Sequence, residues 1–64
     1  MSNFLERLKN EQKELQLNLD KLNSFTNSDK ITELSTANRI LLRRQAEVMK
    51  EYNEILIVRL ELND

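Results

Sequence analysis

The 64-residue chain contains no cysteine, histidine, glycine, proline or tryptophan. Each absence excludes something. Without Cys there is neither a disulfide nor a thiolate metal site. Without His as well, a zinc site would rest on carboxylates alone, a poor match to that metal's preferences, so no metal or cofactor is expected. The commonest general base and the best nucleophile are missing together, and an enzyme is not expected. Without Gly or Pro nothing breaks a helix, and tight turns at positive φ lack their preferred residue. Long helices with polar connections follow. A long apolar run is also missing, since the longest is Ile55, Leu56, Ile57 and Val58, far short of a membrane span. Ten basic residues nearly balance eleven acidic ones. That balance predicts no general attraction to a DNA or RNA polymer.

The length allows one domain, residues 1–64, of a size that buries a small fraction of its surface. With disulfides and metals excluded, oligomerisation is the remaining support. The opening MSNFLERLKN mixes acid and base and reads as neither signal nor transit peptide, so a cytoplasmic location is predicted. A membrane role is not expected. Glu47, Glu51, Glu54 and Glu61 on the polar side of the last segment oppose anionic lipid.

What is present is helical periodicity. Leu5, Leu8, Gln12, Leu15, Leu19 and Leu22 follow a 3-4-3-4 spacing, an a/d seam with one polar member. Phe4 and Phe25 flank it, Leu17 projects away from it, and residues 3–24 are predicted to be a helix. NSFTNSD, residues 23–29, is the break, because Asn, Ser, Thr and Asp compete for their own backbone groups. SDKITEL then predicts one short helix, capped by Ser28 and pinned through Phe25, Ile31 and Leu34. Ser35 or Thr36 caps a long helix running to about residue 62. The fold class is all-α, an antiparallel helical hairpin with a short helix at the bend.

The long helix carries two adjacent stripes. One is Leu41, Val48, Tyr52, Ile55 and Leu62, interrupted by Gln45 and Arg59. The other is Leu42, Ala46, Met49, Leu56 and Leu60. One facing helix does not cover both. The first is expected to meet the Leu seam, leaving Ile57, Val58 and part of the second. Soluble monomers seldom expose such a patch, so a homo-oligomer is predicted, with Ile55, Leu56, Ile57, Val58 and Leu60 at its interface.

NRILLRRQ, residues 38–45, concentrates basic charge, and no acid lies between Leu34 and Glu47. Arg39 and Arg43 share a helix face, and Arg44 adjoins them. The planar fork of Arg suits phosphate, and the start of a helix favours anions. The same patch would also pair with acids of the first helix or of another subunit. Tyr52 and Gln45 are candidates to contact a base. Arg59, in a seam position, either snorkels outward, pairs with an acid or lines a polar cavity. Gln12 and Gln45 are candidates for buried polar positions that set register. Glu11 with Glu14 and Glu47 with Glu51 read as solvated carboxylate pairs, so no catalytic residue is assigned.

FLERL at 4–8, KLNSF at 21–25, LLRRQ at 41–45, MKEYNEIL at 49–56 and Arg59 together resemble a family of very small tailed-phage proteins, including ones from crAss-like phages. In architecture the chain is also similar to the helical-hairpin sponges that phages use against CBASS and Thoeris immunity. The resemblance implies a symmetric oligomer in the host cytoplasm that sequesters a nucleotide second messenger between subunits. The resemblance carries over no individual site residue; on the basic cluster and the polar set described above, Arg39, Arg43 and Arg44 would meet phosphates, Tyr52 with Gln45 would contact a base, and Arg59 could serve either role. A protein-interaction module, docking a host or phage helix on the exposed apolar face, is the other reading.

Overall fold

The structure is a computed structural model that describes residues 3–63. Helix α1 spans Asn3–Thr26 and helix α2 spans Thr36–Asn63, with a 3-10 helix over Asp29–Glu33 between them. The two long helices pack against each other as a hairpin. Both run slightly beyond the predicted ends.

The reversal needs no glycine. Every described residue has negative φ. Ser28 (φ −96°, ψ 163°) and Leu34 (φ −88°, ψ 151°) are extended, and they bracket the 3-10 helix. Thus two extended residues and one tight helical turn replace the left-handed residue that commonly ends a helix. Ser28 stands at the cap position but does not cap. Its hydroxyl donates to the Phe25 carbonyl at 2.7 Å, an acceptor near the end of α1 that also takes the Ser28 N–H at 3.1 Å. Phe25, Ile31 and Leu34 are half-buried, and the 3-10 helix packs on α1.

Ser35, not Thr36, caps α2. Its Oγ accepts the Asn38 N–H at 3.2 Å, and its carbonyl accepts the first helical bond from Arg39 at 3.0 Å. Ser35→Ala is expected to cost about 1 kcal/mol. In a thermal melt followed by circular dichroism, that lowers Tm by roughly 4–8 °C. Thr36→Ala should leave the melt nearly unchanged.

The contact between the helices corrects one expectation. The stripe that meets the Leu seam is the second. In α2 the covered residues are Arg39, Leu42, Ala46, Met49, Asn53, Leu56 and Leu60, again spaced 3-4-3-4, and every other described residue of α2 is exposed. The physical reason lies in the polar members. Burying the first stripe would place Gln45 and the Arg59 charge against leucines, with large desolvation and no partner. The second stripe has Asn53, which finds partners on α1. Gln12 Nε2 donates to Asn53 Oδ1 at 3.1 Å, and Asn53 Nδ2 donates to Gln16 Oε1 at 2.8 Å. Gln16 in turn donates to Asp20 Oδ1 at 3.0 Å.

This amide layer sets the register. Counting outward from Gln12 opposite Asn53 places Leu8 opposite Leu56 and Leu19 opposite Ala46. Leu19 and Ala46 line one groove, in agreement. The buried core is thin: Leu56 is 0% exposed, Leu8 2%, Asn53 5% and Leu19 7%. The molecule is a rod, 47 × 15 × 13 Å. Its radius of gyration is 14.6 Å, whereas a compact domain of this length would have about 11 Å.

Candidate functional site

Because α1 takes the second stripe, the first is left open to solvent. Leu41, Val48, Tyr52, Ile55 and Leu62 are all exposed, Leu62 by 79%. With Gln45 and Arg59 they form a second 3-4-3-4 seam, one residue out of step with the first. Successive residues lie about 100° apart around a helix. So α2 has an inner seam filled by α1 and an outer seam about a quarter turn away whose residues are exposed.

Two interface residues from the sequence reading are displaced by this arrangement. Leu56 is wholly inside the hairpin, and Leu60 is half-buried in the same seam. Both face α1 because the second stripe is the inner one, and Leu56 is not open to a neighbouring molecule. Ile55, Ile57 and Val58 remain exposed. Ile57 points to the side away from the outer seam, whereas Val58 borders it.

The arginines are divided between surfaces. Arg39 falls on the inner seam and is half-buried, with its Nε buried and without a hydrogen-bond partner. Arg43 and Arg44 are exposed and line a shallow groove with Ile40 and Glu47. The polar candidates lie further along. Gln45 is exposed, not buried, with its Nε2 3.9 Å from Met49 Sδ. Its position on the outer stripe keeps its amide in water. The Tyr52 hydroxyl donates to the Glu11 carboxylate on α1, which ties the phenol to the hairpin and leaves the ring exposed. The Arg59 guanidinium sits 6.0 Å from the centre of the Phe4 ring, a cation–π contact at the open end of the hairpin. Arg59 also lines a groove with Glu51, Glu54, Ile55 and Val58.

These side chains do not converge within one chain. From Arg44 to Arg59 the axis of α2 rises about 22 Å at 1.5 Å per residue. Among the described residues no group of three acidic side chains is placed to hold a metal ion. None of the described helices is long and apolar enough to cross a membrane. Asn53 and Gln16 were missed by the sequence reading. For Asn53 the signal was present, since it fills the gap in the 3-4 spacing between Met49 and Leu56.

Helices, seams and an open basic-to-apolar face define a small helical-hairpin binding protein. A family model described as Sequestin matches residues 2–62, and the chain belongs to that family. The family name points to sequestration of a partner. No curated protein and no solved structure matches the chain.

Proposed function

We propose that the protein sequesters a nucleotide immune signal, holding it between subunits of a homo-oligomer in the host cytoplasm without chemical turnover. The reading rests on one observation above the others. The first part of α2, Thr36 to Ala46, carries Arg39, Arg43 and Arg44 and no acid, and Arg43 and Arg44 face solvent near an exposed seam that contains Tyr52. Paired arginines take phosphate as a fork takes a carboxylate, and an exposed aromatic ring can stack on a base. Membership of the Sequestin family supports sequestration as the task. The resemblance to sponges directed against CBASS and Thoeris supports a cyclic or ADP-ribose-type nucleotide as the cargo. Tight binding by many copies suffices, which fits a chain without His or Cys.

The test is thermal unfolding against a panel of cyclic di- and trinucleotides and ADP-ribose derivatives. A ligand at a hundred times its Kd stabilises by about 2.7 kcal/mol, which for a domain this small raises Tm by more than about 8 °C. Arg43→Glu is expected to abolish the shift while leaving the mass in solution unchanged. A second reading, a docking site for a host or phage helix, is favoured by the length of the outer seam, because such grooves and stripes are read at helical spacing. Cooperative unfolding with no shift for any nucleotide would move the assignment there.

A further inference from the structure

Two residues of α1 hold two polar members of the outer seam. The Tyr52 hydroxyl donates to the Glu11 carboxylate, and the Arg59 guanidinium lies over the Phe4 ring. Phe4 and Glu11 are seven residues apart on α1, and Tyr52 and Arg59 are seven apart on α2. The pairs run in opposite order along the two helices, as an antiparallel hairpin requires. Helical angle explains why these side chains are reached. Tyr52 and Arg59 fall on the side of the outer seam toward α1, whereas Val48, Ile55 and Leu62 fall on the side away. The contact at Glu11 stands beside the amide layer, since Gln12 and Asn53, the next residue on each helix, are bonded to each other. The register that the amides fix therefore also fixes where Glu11 meets Tyr52.

A tie of this kind leaves the ring usable. Tyr52 stays 42% exposed although its hydroxyl is engaged. An exposed side chain otherwise spreads over staggered χ1 rotamers, and a ligand that stacks on a mobile ring has to freeze it. The carboxylate also decides what the ring can take. Glu11 occupies the phenol O–H and sets a negative charge beside it, so a phosphate finds no free donor there and meets repulsion. A base, which uses the face of the ring, loses nothing. We propose that Glu11 is a positioning and specificity-determining residue of the candidate nucleotide site. It presents the Tyr52 ring in one orientation and assigns that place to a base, not to a phosphate. The role rests on the nucleotide reading for its ligand, whereas the tie to Tyr52 does not.

Two measurements test it, one without ligand. Tyr52 is the only tyrosine, so its Hα–Hβ couplings are read by NMR without overlap from another. A ring held in one rotamer gives two unequal couplings, and a freely rotating one gives two similar values. The natural chain should show the first pattern and Glu11→Ala the second, with helix content kept because Ala suits an exposed helix position. Glu11→Gln, which retains an oxygen acceptor for the phenol, should restore the unequal pair. The second measurement is calorimetric affinity for ADP-ribose and for cyclic di-AMP. Glu11→Ala is expected to weaken binding by about threefold to tenfold, the ordering cost of one side chain. Tyr52→Phe should lose about as much, the two changes together no more than either alone, and Glu11→Gln should stay near the natural chain. Similar couplings in the natural chain, or losses that add in the double variant, overturn the role. Nucleotide binding that Glu11→Ala leaves unchanged overturns the role and keeps the function. No binding of either nucleotide, with Tyr52 still held through Glu11, overturns the nucleotide reading and the role together and keeps only the tie.

Discussion

Leu56→Ala should remove most of the stability of the hairpin. Leu56 is 0% exposed, and with Leu8 and Leu19 it makes up the buried apolar core among the described residues. Truncating a buried leucine costs about 2–5 kcal/mol, the spread reflecting how far the surroundings collapse into the gap. Collapse is limited here, because two straight helices close on each other only as rigid rods and the amide layer beside Leu56 fixes their spacing. Domains of this length have roughly 3–10 kcal/mol in total. The loss is thus a large share of the whole, and Tm at fixed protein concentration should fall by at least about 10 °C. The comparison is Leu17→Ala, an exposed leucine on the outside of α1, expected to stay within about 0.5 kcal/mol. Equal losses at the two positions would mean that the inner seam is not where the structure places it.

Asn53→Ala is the second large effect, with a different cause. Asn53 bonds both Gln12 and Gln16 while itself 5% exposed. Its removal leaves a donor on Gln12 and an acceptor on Gln16 in a half-buried layer, which costs about 1–3 kcal/mol. Replacing all three by leucine removes the desolvation penalty and should raise Tm above that of the natural chain. The gain is expected to come with lost register, because leucine layers accept a one-turn slide that the amide layer forbids. A doubled set of backbone amide peaks in the triple variant, against a single set in the natural chain, would show the slide. A triple variant with both higher Tm and one sharp peak set would show that register is held elsewhere.

Most of the fold was legible because the chain lacks helix breakers and the α1 seam is nearly all leucine. The bend was legible as polar punctuation, though the side-chain bonding of Ser28 was not, since a serine before a helix and one after a helix look alike. The pairing of the stripes was harder. Each stripe of α2 has five apolar members, so apolar count does not choose between them. The choice turns on polar partners, namely whether Asn53 meets Gln12 and Gln16 or Arg59 and Gln45 meet nothing. That is a property of two helices together and does not appear in the periodicity of either. The same step separated Arg39 from Arg43. Both share a face by spacing, but the inner seam passes through Arg39 and leaves Arg43 in water.

The chain has one tyrosine and no tryptophan, and that tyrosine is Tyr52. Its ring belongs to the outer seam, and its hydroxyl reaches Glu11 on the neighbouring helix. The protein therefore carries a single tyrosine chromophore, absorbing at longer wavelength than its two phenylalanines, at the boundary of its two surfaces. One near-ultraviolet band reads hairpin closure through the phenol oxygen and occupancy of the open face through the ring. The two events separate by their dependence on denaturant and on protein concentration, without any added dye.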